Sequence, residues 1–234
     1  MRALAPEGIR SRNIQLRNRS TMMSAVRYIF DHRHEVATLA AEHFWLVFIS
    51  MLLAVAAGVP LGILLTRKPQ WKTLVLGANN VVQTIPSLAL FGLLLPLPWL
   101  GVRADRLAIA ALTLYALLPI VQNTYTGIAG VDASAREAAI GMGLTSRQLL
   151  WHLELPLAFP VLLAGIRVAT VITVGVATIA AAIGAGGLGE FIFRGLAMVD
   201  NNVILAGAVP AAAMALVADF VLGALQRLVA RPHS

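Results

Sequence analysis

Long apolar runs separated by short polar segments dominate this 234-residue sequence. A helix needs about 20 mostly apolar residues to cross a hydrocarbon core about 30 Å thick. The sequence therefore predicts an all-α polytopic membrane protein with about five transmembrane helices. The predicted spans cover residues 44–66, 73–100, 107–128, 157–183 and 203–225.

Three prolines interrupt the second run, and the first of them is Pro86. Proline breaks the helical hydrogen-bond ladder, and freed backbone groups are tolerated at membrane depth only against protein or a water-lined cavity. Gln83, Thr84 and Ser87 stand beside Pro86 and offer uncharged hydrogen-bonding groups. We expect these four residues to line a translocation path. The alternative is that their polar groups satisfy the backbone that the proline frees.

Composition agrees with a membrane protein, because only 12% of the residues are charged, against about 25% in soluble domains. The net charge is +7, and residues 1–35 supply +4 of it. Basic residues placed in this way are typical of membrane topology and of contacts with anionic head groups. We therefore expect a lipid bilayer as partner and no nucleic acid. The sequence has no cysteine, which excludes disulfides and thiol catalysis.

Residues 1–23 are polar and rich in arginine, without the apolar core and cleavage site of a secretory signal. We expect a disordered tail there, with residues 1–35 as a basic lead-in and residues 36–230 as the membrane domain. Basic residues in short loops favour the cytoplasmic side. Residues 67–72, the polar segment 130–156 and the C-terminus share one side in a five-span topology. We expect that side to be cytoplasmic, although the basic tail then faces outward.

The polar segment 130–156 separates the third and fourth spans. Asp132 is placed to cap a short helix that breaks near Gly141 and Gly143. Thr145 and Gln148 have the spacing of a capping box for a second short helix. We expect that helix to end at Pro156, because proline cannot continue the hydrogen-bond ladder. Both helices are expected to lie on the membrane surface.

Three apolar residues of this segment are expected to pack back against the membrane domain: Leu149, Leu150 and Trp151. Ala138, Ala139 and Gly143 are small enough to allow close approach by another protein. The segment then serves as a docking surface. An ordinary interfacial linker between two spans is the alternative.

A motif in this segment resembles the cytoplasmic loop of ABC importer permeases. That loop has the form Glu-Ala-Ala, three residues, Gly, nine residues, Ile-x-Leu-Pro. Here Glu137, Ala138 and Ala139 are followed by Gly143, Leu153, Leu155 and Pro156 at the same spacing, and only Leu153 departs, in the isoleucine place. The resemblance implies cytoplasmic coupling helices between spans three and four, which dock on a separate ATPase. The residues expected there are Arg136, Glu137, Ala138, Ala139, Gly143, Leu153, Leu155 and Pro156.

The resemblance extends over most of residues 35–230 and also indicates a solute. Residues 81–96 and 174–196 are similar to permeases for quaternary-ammonium osmoprotectants such as glycine betaine, choline and carnitine. The resemblance implies a multi-pass protein of the bacterial cytoplasmic (inner) membrane. It also implies two partners besides the ATPase: a second permease subunit, identical or paralogous, and an external substrate-binding protein. No aromatic cluster is evident in the sequence, so we expect the cage for the cation on that binding protein.

The chain itself is expected to be no enzyme and to bind no cofactor and no metal. It contains no GxxxxGK[ST] phosphate loop, so ATP and Mg are expected on the partner ATPase. An importer of another small zwitterion is the first alternative. An ion-coupled secondary transporter is the second, but it predicts several ionisable residues inside the spans. No constellation of carboxylates or histidines supports a membrane-bound enzyme.

Only Arg167 in span four and Asp219 in span five are ionisable and deep within predicted spans. We expect them to form a structural ion pair, with a gate or solute contact as the alternative. Residues 183–189 form the glycine-rich stretch IGAGGLG at the outer end of span four. Its four glycines predict a turn shaped for a binding protein or a gate, or else tight helix packing through small residues. These candidates are Gly184, Gly186, Gly187 and Gly189.

Overall fold

The computed structural model of the chain describes residues 23–99, 101 and 103–229, and within these ranges it contains helices and no strand. The predicted disordered tail lies outside the described residues, apart from Met23. The helices in chain order are α1 (residues 23–31), α2 (Arg33–Arg67), α3 (Lys72–Thr84), α4 (Ser87–Leu94), α5 (Ala104–Ala129), α6 (Ala133–Gly141), α7 (Ser146–Leu149), α8 (Leu155–Ala180), α9 (Gly189–Met198) and α10 (Asn201–Val229).

Four helical segments are long and apolar enough to cross a membrane, and they contain α2, α5, α8 and α10. A fifth is obtained if α3, with the 3₁₀ turn before it, and α4 count as one broken span, whose two parts are bent by 104°. The predicted all-α polytopic fold with about five spans is confirmed.

The second span is broken at Pro86, as the prolines within residues 73–100 predict. Ile85 has φ −72° and ψ 125°, the extended conformation that a following proline imposes. The chain therefore leaves the helical region after Thr84 and enters it again at Ser87, with Pro86 at the N-cap. The bend arises at Pro86, whereas the two later prolines follow the end of α4.

Helix α2, which contains the first span, starts at Arg33, well before the apolar run that begins at residue 44. Polar residues in its first turns have partners elsewhere in the fold. Glu35 pairs with Arg194 of α9 at 2.7 Å, and Glu42 accepts a hydrogen bond from the N–H of Gly187 at 3.1 Å. These contacts hold the first part of α2, which precedes the apolar run, against α9 and the glycine-rich stretch.

The core is formed by α2, α5 and α8, which pack along one another, while α10 packs across α8 and α9. Small residues bring α2 and α5 close. A Cβ placed at Gly58 would lie 2.8 Å from Cγ2 of Ile120, and one at Gly62 would lie 2.6 Å from Cβ of Thr124. Glycines four positions apart let helix backbones approach in a membrane, where dispersion contacts drive association.

The prediction that Pro156 ends the second short helix is wrong. Helix α7 continues through a π-helical turn at Leu150–Glu154 directly into α8. Pro156 lies in the first turn of α8. The helix continues past this proline because the π-helical turn directly before it rearranges the backbone bonds, with the N–H of Leu155 donating to the carbonyl of Leu150 five positions back.

Candidate functional site

Helix α6 begins with a side-chain cap. The N–H of Ala135 donates to Oδ1 of Asp132 at 3.1 Å, and the hydroxyl of Ser134 donates to the same oxygen. These hydrogen bonds hold the pKa of Asp132 below its usual range, and the bond from the Ser134 hydroxyl has the largest effect. The carboxylate therefore stays ionised and complements the positive end of α6. The N-cap predicted at Asp132 is present.

Gly143 joins α6 to the next helix in a left-handed conformation, with φ of 88°. The N–H of Leu144 donates to the carbonyl of Ala139 at 3.2 Å, which closes the end of α6. No atom lies within 4 Å of the position that a Cβ of Gly143 would take. The structure thus requires glycine here for its backbone conformation, and the open space around it remains free.

Helix α7 begins with the predicted capping box. The N–H of Gln148 donates to Oγ1 of Thr145 at 3.4 Å, and the N–H of Thr145 donates to Oε1 of Gln148 at 2.9 Å. Leu149 is buried, but Trp151 is 61% exposed. Leu150 is half-buried. The expectation that all three pack inward is wrong for Trp151, because residues two apart on one continuous helix face different sides.

The exposed surface of the loop combines polar and apolar side chains. Glu137 and Ala138 are exposed, and Ala139 beneath them is buried. Two large apolar side chains at the end of α6 face outward, since Ile140 is 56% and Met142 75% exposed. The surface therefore combines a carboxylate, a small residue and two unburied apolar residues.

A buried carboxylate lies on the inner side of the same loop. Glu154 in the π-helical turn is fully buried, and Arg67 at the end of α2 contacts both of its oxygens. Nε of Arg136 donates to Oε1 of Glu154 at 3.0 Å, and Nη2 of Arg136 donates to the carbonyl of Ile128 at 3.0 Å. The carboxylate thus connects the end of α2 and helix α6 to the start of α8, and Arg136 also binds the end of α5.

Sequence reasoning identified Arg136 but placed it at the docking contact, and it missed Arg67 and Glu154. A signal was present, because Glu154 is the one acidic residue between Glu137 and Glu190. A single carboxylate among apolar residues needs a charged partner when it is buried. The three residues are hereafter called the Glu154 cluster. Leu153 and Leu155 are half-buried beside it, and Pro156 is exposed.

Two reciprocal hydrogen bonds hold the bend at Pro86 against α5. Nε2 of Gln83 donates to the carbonyl of Tyr115 at 2.9 Å, and the hydroxyl of Tyr115 donates to the carbonyl of Ile85. The carbonyl of Tyr115 lacks its own helical partner because Pro119, four positions on, has no N–H. Gln83 therefore satisfies a carbonyl that a proline frees, but that proline is Pro119 rather than Pro86.

The other path candidates lie around the same bend. The hydroxyl of Thr84 donates to the carbonyl of Val81 at 2.7 Å, within its own helix. Pro86 and Thr84 are exposed, and Ser87 is half-buried. These three therefore remain at least partly accessible, whereas the side chain of Gln83 is hydrogen-bonded to α5.

The glycine-rich turn after α8 has three left-handed residues, with φ of 80° at Gly184, 84° at Gly186 and 83° at Gly187. Glu42 accepts the N–H of Gly187, as described above. The buried ring of His43 lies against the turn, since a Cβ at Gly187 would lie 3.1 Å from its Nδ1. His43 Nε2 donates to the carbonyl of Val174 at 3.1 Å.

Gly189 has a different reason to be glycine. A Cβ at this position would lie 1.9 Å from the carbonyl oxygen of Thr178. The start of α9 therefore packs directly on the backbone of α8. The stretch thus forms a turn and also packs tightly on α8, while its role toward a binding protein or a gate stays a prediction.

Arg167 of α8 and Asp219 of α10 lie together. Nε and Nη2 of Arg167 donate to the two oxygens of Asp219 at 2.6 and 2.7 Å, a bidentate arrangement. Gly223 makes room for the guanidinium, because a Cβ there would lie 2.9 Å from Cζ of Arg167. Both side chains are partly exposed in the single chain.

Three aromatic rings form a cluster that the sequence analysis did not identify. Phe44, Trp45 and Phe48 of α2 contact one another with centroids 5.7 to 6.1 Å apart. All three are about half exposed on the surface of one helix. They pack against one another in stacked and edge-to-face pairs.

Comparison with known proteins places this architecture in a family. Residues 58–232 match the family described as binding-protein-dependent transport system inner membrane component. The carnitine transport permease protein OpuCB of Listeria monocytogenes is 42% identical over 205 residues, which are 88% of this chain and 93% of that protein. The osmoprotectant import permease protein OsmW of Salmonella typhimurium is 43% identical over 206 residues, 87% of this chain and 96% of that protein.

The fold is similar to that of a chain in an inward-facing structure of the MetNI methionine ABC transporter. The TM-score is 0.77 at 22% sequence identity, over 86% of this chain and 99% of that chain. The importer permease family predicted from the motif at residues 137–156 is confirmed. With its apolar spans and a family match over most of its length, the chain belongs to the binding-protein-dependent transport system inner membrane components.

Proposed function

We propose that this chain is the permease subunit through which an ATP-driven importer carries a small quaternary-ammonium or zwitterionic osmoprotectant across the inner membrane. The observation that carries the proposal is the motif at residues 137–156, which lies on two exposed, capped helices at one end of the spans. The identity of more than 40% to permeases named for carnitine and for osmoprotectants supports the solute class. Glycine betaine and choline share its quaternary ammonium group.

The energy for transport comes from a separate ATPase that docks on the loop. Glu137 supplies a charge for that contact, Ala138 permits close approach, and Ile140 and Met142 supply apolar area. An interface needs apolar side chains that become buried together with a few polar contacts. In the described part of the chain, no other element buries these two side chains.

The remaining assignments follow from alternating access between two permease subunits, identical or paralogous. An external binding protein delivers the solute near the glycine-rich turn, which serves as the outer gate. Thr84, Pro86 and Ser87 border the path at the bend. Arg167 and Asp219 form a structural pair that joins α8 to α10, and the membrane domain covers residues 36–230.

Co-purification with a candidate ATPase tests the docking surface. Glu137→Arg and Met142→Asp are each expected to reduce the retained ATPase at least about tenfold, because a charge is placed where a partner is buried. The matched control is Asp31→Arg, a charge reversal on exposed α1, before the opposite end of α2. Retention of the ATPase and of solute uptake by both loop variants would refute the docking assignment.

Uptake into proteoliposomes that contain the complete importer tests the solute class. Labelled carnitine, glycine betaine and choline are compared with methionine, with and without ATP. The proposal expects ATP-dependent uptake of at least one quaternary ammonium compound and none of methionine. Uptake driven by an ion gradient without ATP supports the secondary-transporter alternative, and uptake of another zwitterion alone supports the other importer class.

A further inference from the structure

The Glu154 cluster lies where the proposed docking loop meets the spans. Arg67 is the last residue of α2, Arg136 belongs to α6, and Glu154 occupies the π-helical turn that leads into α8. In the described part of the chain, the side-chain hydrogen bonds that join α6 to α5 and to the π-helical turn are both made by Arg136. The cluster is therefore the principal polar connection between α6 and the membrane core.

A buried carboxylate makes this connection stiff. Glu154 is shielded from water, so an ionised carboxylate at this position is strongly unfavourable unless its charged partners stay in place. Three separate donor groups reach its two oxygens: two from Arg67 and one from Arg136. Moving α6 away from α2 breaks these bonds, so a small displacement of the loop draws the end of α2 and the start of α8 with it.

Glu154 also lies in an unusual backbone conformation, the π-helical turn Leu150–Glu154. Such turns are rare inside helices and are frequent at functional sites. Here the wide turn carries the carboxylate on the continuous helix that runs from α7 to α8. Any displacement of α7 is therefore transmitted along the backbone, while displacement of α6 is transmitted through Arg136.

We propose that Glu154, held by Arg67 and Arg136, is the positioning residue that converts movement of the docking loop into movement of the spans α2 and α8. This inference rests on the proposed function, since it takes the loop to be the ATPase contact. It assigns the docking loop two faces with separate tasks. The outer face binds the ATPase, and the inner face transmits its motion.

The first test uses the complete importer in proteoliposomes and compares solute uptake with ATP hydrolysis. Glu154→Gln removes the charge at nearly constant volume. We expect it to retain the ATPase and to hydrolyse ATP, while uptake per ATP falls about fivefold or more, as for residues that carry coupling between sites. Asp105→Asn is the control, because it breaks the exposed pair of Arg103 and Asp105 and should leave the ratio unchanged.

A second variant separates transmission from simple stabilisation. Arg136→Met combined with Glu154→Leu replaces the buried charges by apolar side chains, which often preserves or raises stability. Arg67 is then free to turn to water, since its side chain is already 37% exposed. We expect a folded protein by thermal unfolding and size exclusion that still transports poorly per ATP. Wild-type uptake per ATP in this double variant would show that the cluster only stabilises the fold.

A distance measurement gives a readout that needs neither solute nor ATPase. The chain has no cysteine, so spin labels can be attached at Met142→Cys on the loop and Trp71→Cys after α2, both at exposed positions. The unmodified cluster should give one narrow distance distribution, and Glu154→Gln a broad or shifted one. Equal narrow distributions overturn the inference. Failure of the wild-type chain to retain any ATPase overturns the proposed function instead, whatever the label distances are.

Discussion

The conformation of Gly143 governs the angle between the two short helices of the loop. In the left-handed region a residue with a Cβ is less stable by about 1–2 kcal/mol. We therefore expect Gly143→Ala to lower the free energy of unfolding by about 1 kcal/mol. A steric clash of the added Cβ does not contribute to this loss of stability, because the space around the position is open. Thermal unfolding of the solubilised chain measures the change.

Gly141 provides the matched control for this prediction. It also has open space around the Cβ position, but its φ lies outside the left-handed range. Gly141→Ala should be neutral or stabilising by up to about 1 kcal/mol, because alanine is the better helix former. Equal destabilisation by the two alanines would contradict the conformational explanation for Gly143.

At the scale of elements, the bend between α3 and α4 depends on its two hydrogen bonds to α5. Tyr115→Phe leaves the carbonyl of Ile85 without its partner, and Gln83→Leu does the same to the carbonyl of Tyr115. Each change should cost about 1–3 kcal/mol of stability, the range for a buried polar group that loses its hydrogen bond. Chemical denaturation in mild detergent measures both.

Tyr125→Phe is the control for the loss of a hydroxyl from α5. It keeps the ring over which the ammonium group of Lys72 lies, 4.6 Å from the centroid. A stability change as large as that of Tyr115→Phe would argue against the specific role of the bend. Protease digestion near Pro86 should also increase in the Tyr115 and Gln83 variants but not in the control.

The contact between α8 and α10 depends on the Arg167–Asp219 pair. Arg167→Asp and Asp219→Arg each place two like charges together within the spans, where unpaired charge is unfavourable. We expect each single reversal to abolish most of the uptake and the double reversal to restore it. Restored folding without restored uptake would favour a gate or solute contact over the structural pair. No recovery of either would argue against the pairing.

At the scale of the whole molecule, the topology predicts opposite sides for the docking loop and the turn before α10. Met142 lies at the end of α6, and Val199, 88% exposed, lies between α9 and α10. Because the chain lacks cysteine, single cysteines at these positions can be labelled without background. An impermeant maleimide should reach Val199→Cys from outside intact spheroplasts and Met142→Cys only in inverted vesicles. The reverse pattern would invert the predicted orientation.

The predicted part of the candidate site consists of local features. Asp132 and Thr145 cap their helices through groups two to three residues away, and Gly143 adopts a conformation that few residues other than glycine favour. Such interactions are encoded in a few neighbouring positions. The end of the second helix was predicted wrongly, because the π-helical turn directly before Pro156 lets the helix continue past the proline.

The sequence by itself determined the all-α polytopic fold with about five spans, because apolar length and the need to satisfy every backbone group in lipid leave few alternatives. It also determined the caps of the loop and the family motif. Only the tertiary structure decided which distant groups meet. Arg67 and Glu154 are 87 positions apart, and Glu42 and Gly187 are 145 apart. Their pairing depends on how α2, α5 and α8 pack through small residues, a geometry that no local pattern specifies.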